Sequence, residues 1–376
     1  MPCRCVVSTF AGVLHDIQLP LGSTVRKLKE AVASSDWGVP PSCQRLCRLD
    51  AVRSPGDEDP VVDGGKYGLC ISFEQLLWQL QHGSERGRLS ALEDVRALGP
   101  RSDGALVSAL VRCAGDRAMM AVQRAALEAL IRLMVLGNEQ AEAALYNCLS
   151  KHEVAVRRLA VVALGDACQG DAARPADEKC MAALCRALED TADIVRVTAV
   201  RTVAKVARKD DLRVTSLLVA RVADPAEDVR DAAVSAVEAF VPRGHQPSIR
   251  ALDASCSHQD PMVRRAALLA LGSVAEVGEE SVRAIYQHTR DRSPKVKAAA
   301  VLAIAQVAPL GCPRALRAVR KLLEDDASLV REASLVALSK VARRGDCAAI
   351  VLASVGANDS DRVVRRAAAK ALACIG

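Results

Sequence analysis

The sequence predicts an α-solenoid of paired helices behind a small α+β head. Three observations carry this. A twelve-residue segment recurs along the chain, most clearly as Val263-Arg264-Arg265-Ala266-Ala267-Leu268-Leu269-Ala270-Leu271-Gly272-Ser273-Val274. Its opening valine returns at Val122, Val156, Val195, Val229, Val263, Val296, Val330 and Val364, in steps of 34, 39, 34, 34, 33, 34 and 34 residues. A fixed period in this range marks stacked repeats. Aromatic residues make up only 2% of the 376, so the core is one of small aliphatic side chains. The first seventy or so residues lack the period and read as short strands around a single helix.

In the head, Cys5–Phe10 and Val13–Leu19 read as strands joined by a turn at Ala11-Gly12. Ser23 or Thr24 caps a helix from Val25 to about Ser34, with Val25, Leu28 and Val32 on one face. Pro40 and Pro41 break that helix, and Gln44 to Leu49 resumes a strand. Residues 50–65 are rich in Gly, Pro and Asp, hence loop. Tyr67 to Ile71 closes the head as a last strand. The expected domains are residues 1–71 and residues 72–376.

Behind the head, each period reads as two helices. Over Glu178–Ala207 the first carries Cys180, Leu184 and Leu188 on one face. A turn follows at Asp190–Asp193. The second helix starts near Ile194 and buries Val195, Thr198, Ala199, Thr202, Val203 and Val206, a broad apolar stripe at helical spacing. One pair cannot cover its own stripe, so neighbours must stack. Small residues such as Ala232-Ala233 and Ala266-Ala267 let helices approach closely. Asp190, Asp224, Asp291, Asp325 and Asp359 each stand five residues before their valine, in the turn. Pro225, Pro261 and Pro294 fall about where second helices begin, a position that tolerates proline. Lys205, Arg208, Lys340 and Arg343 gather at helix C-termini, where cations suit the dipole. Eight repeats are clear, and a degenerate ninth spans Phe73 to Leu98. The 39-residue step puts about five extra residues near Gln169–Asp177, the kind of loop insertion solenoids tolerate. The sequence stops at Ala371–Gly376 without a polar capping helix; the expectation is that this end pairs with another chain or that a longer array exists.

Charge and cysteine bound the function. The net charge is +6, the head is neutral, and the excess lies on the array. That is a mild taste for acidic partners, short of the dense basic patch of a nucleic-acid binder. Of fourteen cysteines, Cys113, Cys148, Cys168, Cys180, Cys185 and Cys374 stand where the repeat has small buried residues, so they read as small hydrophobes. Their spacings form no paired zinc pattern. The start shows no secretory signal and no run long enough to span a membrane. A reducing compartment, cytosol or nucleus, is the expectation.

Two resemblances sharpen this. Gly38-Val39-Pro40-Pro41 followed by Gln44-Arg45-Leu46, with Thr24, Val25 and Lys29, resembles the ubiquitin-like β-grasp fold over about 70 residues. The chain runs on without a terminal Gly-Gly, so the head is not a conjugated tag. The positions matching ubiquitin's recognition patch are Phe10, Cys47, Cys70 and Ser72; Phe10 alone keeps the large apolar character. The resemblance implies a second interaction module, with ubiquitin-pathway components as its partners. The array resembles HEAT repeats, in particular the short regular type of phycobilisome lyase subunits. That implies a non-catalytic protein-binding scaffold using its concave face; the rival implications are a bilin-lyase-like activity or binding of nucleic acid or acidic ligands.

The residue after each valine is Arg157, Arg196, Arg230, Arg264, Lys297, Arg331 or Arg365, with Gln123 the exception. Two readings stand. In HEAT repeats such an Arg pairs with a turn Asp and ties repeats together, and five turn aspartates are present. Alternatively the row lines a basic groove for acidic peptides or phosphates, since Arg makes bidentate contacts to both. These seven cations and Phe10 are the candidate partner-binding residues. HEAT-like di-iron hydroxylases use several His-Glu pairs; His152-Glu153 alone qualifies, so no metal is expected. No His stands in a motif with a nucleophile, and no phosphate-binding glycine motif occurs; no cofactor is expected.

Overall fold

The computed structural model describes residues 2–9, 14–35, 39–49, 54–98, 104–116, 119–135, 138–151, 153–169, 178–209 and 211–376. Phe10, the Ala11-Gly12 turn, Gly38, His152 and most of the Gln169–Asp177 insertion lie outside them. The chain divides into two compact units, Met1–Ala167 and Cys168–Gly376.

The first unit opens with four strands, β1 (Cys3–Thr9), β2 (Leu14–Leu19), β3 (Gln44–Arg48) and β4 (Lys66–Ile71), in the order β2-β1-β4-β3. β1 pairs antiparallel with β2 and parallel with β4, and β3 pairs antiparallel with β4. A parallel neighbour cannot be reached by a tight turn. The chain therefore crosses over, through helix α1 (Val25–Ala33) and β3, before β4 joins β1. α1 lays Val25, Leu28 and Val32 onto the sheet, against Cys5, Val7, Ile17 and Tyr67. The segment 39–43 leaves this core. Pro41–Cys43 forms a 3-10 turn, and Val39 and Cys43 join a separate cluster with Leu76, Leu80 and Leu92. Ser72 N–H donates to the Cys43 carbonyl at 2.9 Å, and the Ser42 hydroxyl donates to the Asp94 carboxylate. Burial pushes the Cys43 thiol up to about 11.

Among the described residues nine helix pairs follow, and no strand occurs past Ile71. In the first unit they are α2 (Glu74–His82) with α3 (Glu85–Leu98), α4 (Gly104–Ala114) with α5 (Met120–Val135), and α6 (Glu139–Lys151) with α7 (Val154–Gln169). Later come α8 (Glu178–Ala187) with α9 (Asp193–Val206), α10 (Leu212–Ala220) with α11 (Glu227–Phe240), and α12 (Gln246–Ser255) with α13 (Pro261–Val274). The last are α14 (Glu279–Tyr286) with α15 (Pro294–Val307), α16 (Pro313–Leu322) with α17 (Ser328–Val341), and α18 (Cys347–Gly356) with α19 (Arg362–Ile375). The degenerate repeat thus exists as α2 and α3.

Within the second unit, successive second helices lie side by side: α9 against α11, α11 against α13, and so on to α19. First helices touch one another less, so the second helices form the closer-packed layer. At Gly272 a Cβ would come within 2.8 Å of the Ala303 backbone, which explains the glycine where α13 meets α15. Every anchoring valine from Val122 to Val364 is buried.

One expectation shifts. Cys113, Cys148, Cys180 and Cys185 are buried, but Cys374 is exposed and Cys168 half-buried. Cys374 occupies the register of Lys205 and Lys340, a solvent-facing position of the repeat. Pro261 and Pro294 are first residues of their helices, whereas Pro225 stands two residues ahead of α11.

Candidate functional site

The cations after the valines are placed by their own turns. Arg196 Nη1 donates to the Asp190 and Thr191 carbonyls at 2.8 and 3.2 Å. Arg230 repeats this with Asp224 and Pro225, Arg264 with His258 and Gln259, Arg331 with Asp325 and Asp326, and Arg365 with Asp359 and Ser360. These carbonyls lie five and six residues earlier, where the first helix has ended and the second has not begun. Such groups have no helical partner. One guanidinium nitrogen therefore staples each turn to the helix that follows it.

The other edge of the fork reaches the next repeat. Arg196 Nε and Nη2 donate to Asp224 at 2.9 and 2.8 Å. Arg264 does the same to Asp291, at 2.9 Å for both bonds, and Arg331 to Asp359, at 2.7 and 2.9 Å. Lys297 makes a single contact of 2.5 Å to Asp325. The receiving carboxylates are fixed in turn. Asp224, Asp291, Asp325 and Asp359 each accept the N–H two residues on, from Ala226, Ser293, Ala327 and Asp361. This is the local bond that makes Asp a turn residue. The pairing of Arg with turn Asp is thus present at three rungs, and Lys297 makes the same tie at a fourth.

Electrostatics agrees with geometry. The hydrogen bond from Arg331 holds the Asp359 carboxyl down to about 2. At Asp291 burial pushes the carboxyl up, but the Arg264 hydrogen bond and charge and the Ser293 N–H together leave it below its ordinary value. Hydrogen bonding to Asp224 raises the Arg196 guanidinium, against the opposing effect of burial. Asp224 is fully buried and also accepts from Arg221 at 3.4 Å. Isolated there, a charge would cost several kcal/mol; four donors offset that.

Three predicted cations differ. Arg157 is half-buried and has a partner of its own. Arg230 is buried and Arg365 exposed, and among the described residues the Nε and Nη2 of each have no acceptor. Phe10 lies outside the described residues. One rung lies off the valine register: Arg88 Nη1 contacts Asp116 at 2.6 Å, and its Nε donates to the Gly83 carbonyl at 3.1 Å. Arg88 stands one period before Val122 itself, not one residue later, so the valine rule passes over it. The 28-residue spacing shared by Arg196–Asp224, Lys297–Asp325 and Arg331–Asp359 would have found it.

A second row runs along the closer-packed layer. Six residues after each valine stand Arg201, Ser235, Leu269, Leu302, Val336 and Lys370, one per helix from α9 to α19. All are half-buried or exposed. Three consecutive apolar side chains, Leu269, Leu302 and Val336, sit in the middle of that row, with cations at its ends. Among the described residues no group of His, Cys, Asp and Glu could hold a metal, and no helix is long and apolar enough to cross a membrane.

A family model described as HEAT repeats matches residues 282–373. The comparison with curated proteins returns no match. Among solved structures, the chain resembles one of Kap95p with RanGDP (TM-score 0.62, 15% identity), covering 80% of this chain and 45% of that one. A Kap95:Nup1 complex gives TM-score 0.60 at 15% identity, over 81% and 46%. Importin beta in ammonium sulfate gives 0.59 at 15%, over 80% and 46%. The chain spans under half the length of these three chains, and at this identity the likeness is one of fold. Residues 282–373 are HEAT repeats, and the helical pairs that contain them build an α-solenoid of the kind seen in importin beta.

Proposed function

We propose that this chain is a non-catalytic scaffold that binds a protein partner on the concave face formed by its second helices. The observation that carries this is the row Arg201–Lys370 with its apolar centre at Leu269, Leu302 and Val336. These side chains sit on adjoining helices and are spent on no rung. Aligned one per repeat, they make an extended surface suited to a protein segment. The likeness to Kap95, whose complex with Nup1 is a protein–protein assembly, supports the same reading.

The sheet supports a ubiquitin-like second module with its boundary at residue 71. Its order β2-β1-β4-β3, with α1 crossing between hairpin and β3, is the arrangement that the sequence resemblance implies. Phe10 belongs to its proposed partner surface, with ubiquitin-pathway proteins as the partners. Of the seven cations, Arg230 and Arg365 are those whose fork remains open to a partner. The cytosol or nucleus is the proposed compartment.

The test is capture of partners from a lysate by the full chain and by the double variant Leu302→Glu, Val336→Glu, with circular dichroism confirming equal helicity. Loss of captured proteins in the variant is expected. Equal capture by both chains, or none by either, overturns the reading.

A further inference from the structure

The rung that Arg230 begins has no end. In the rungs around it the fork finds a carboxylate 27 or 28 residues on: Asp224 for Arg196, Asp291 for Arg264, Asp359 for Arg331. The corresponding position for Arg230 is His258. Arg230 is only 5% exposed. Its Nη1 is pinned to the Asp224 and Pro225 carbonyls at 2.7 and 2.8 Å, the anchoring that in Arg196, Arg264 and Arg331 presents Nε and Nη2 to the next turn. Here those two donors have no acceptor among the described residues.

His258 does half of an aspartate's work. Its Nδ1 accepts the Asp260 N–H at 3.0 Å, as an aspartate oxygen accepts the N–H two residues on in the closed rungs. With Nδ1 an acceptor, the neutral ring carries its proton on Nε2. The ring therefore has no second lone pair for the guanidinium. The turn itself is intact, since Arg264 Nη1 holds the His258 and Gln259 carbonyls at 2.9 Å each. The result is a guanidinium pinned at Nη1, whose Nε and Nη2 have no acceptor among the described residues and keep contact with solvent, at the rung position where its neighbours meet a carboxylate. A bidentate Arg–carboxylate pair is among the strongest polar contacts available.

We propose that this gap is an oxyanion site, and that it takes the carboxylate of an acidic side chain presented by the protein partner. The carboxylate supplies the two acceptor oxygens that Asp224, Asp291 and Asp359 supply elsewhere. The site itself stands on the ladder geometry; its use by a partner rests on the scaffold reading.

The experiment uses the full chain, its variant His258→Asp, and Arg230→Lys, which keeps the charge and loses the fork. Thermal midpoints are compared in sodium acetate, sodium phosphate and sodium chloride at equal ionic strength. Acetate is expected to raise the midpoint of the parent chain above its value in chloride. His258→Asp closes the rung from within, so it raises the midpoint in chloride and abolishes the acetate response; Arg230→Lys abolishes the response as well. No acetate response, or one that His258→Asp retains, overturns the site. A response to phosphate without one to acetate overturns the carboxylate assignment. A fluorescent peptide of Asp, Glu and Leu tests the partner, with binding to His258→Asp expected to be about tenfold weaker or worse. Equal binding to the two chains overturns the partner's use of the site while leaving the acetate result to judge the site. The Leu302–Val336 variant judges the scaffold reading separately.

Discussion

The sheet at the start of the chain and the helical pairs behind it bury their apolar residues in opposite ways. In the sheet, Cys3, Leu28 and Tyr67 meet in one cluster, so residues more than sixty positions apart cover one another and the core closes on itself. In the pairs, the cover for each helix comes from one period away, and the polar ties follow the same rule, with Arg196 reaching Asp224 and Arg331 reaching Asp359. A defect in the head should therefore spread through all of it. A defect in the pairs should stay near the rung it touches, because such stacks are held by nearest neighbours.

The sharpest way to break this contrast is Asp224→Ala. It strands the buried Arg196 and removes the acceptor of four donors. A loss of about 3–5 kcal/mol is expected, read by denaturant unfolding. Hydrogen exchange should quicken in α9 to α11 and stay unchanged in β1 to β4. Leu28→Ala makes the complementary cut. It empties a fully buried site under the sheet and should cost about 2–5 kcal/mol, with exchange quickening across all four strands and unchanged in α13 to α19. If either variant disturbs the other region equally, the contrast fails.

Gly272→Ala probes close approach between pairs. The added methyl meets the Ala303 backbone, and overpacking of this kind costs about 1–3 kcal/mol; a neutral result in thermal unfolding would mean the helices part freely. The smallest effect is on acid stability. Asp359 has a folded-state value of about 2, below the roughly 3.9 of a free aspartate. Its contribution is therefore complete above about pH 4 and lost as pH falls toward 2. Asp359→Asn should flatten that limb of the unfolding curve, and an unchanged limb would remove the ion pair from the account.

Much of this architecture was legible because it repeats. The valine step located every second helix from α5 onward, and the turn aspartates named four of the rung acceptors before any geometry was known. The head was legible for a different reason: its prolines and glycines punctuate short strands, and β3 and β4 fall within a residue or so of expectation. What stayed hidden was relational. Nothing in the local pattern marks His258 as the missing acceptor of Arg230, since the two are joined only through the 28-residue reach of the fork. Arg88 was hidden because its rung survives after its valine is gone. Cys374 was misread because small size at one position does not say which face of the helix it occupies. The segment 39–43 looked like a helix exit and a strand entry; its second role, giving Val39 and Cys43 to the helical core, depends on where α2 lies.

The central claim is that the cationic row is engaged within the array except at Arg230 and, in the last pair, Arg365. The most direct test is a pair of double-mutant cycles in urea, Arg331→Met with Asp359→Ala and Arg230→Met with His258→Ala. The account predicts a coupling of about 1–3 kcal/mol across the closed rung and one near zero across the open rung. Equal couplings, or a larger one between Arg230 and His258, would contradict it.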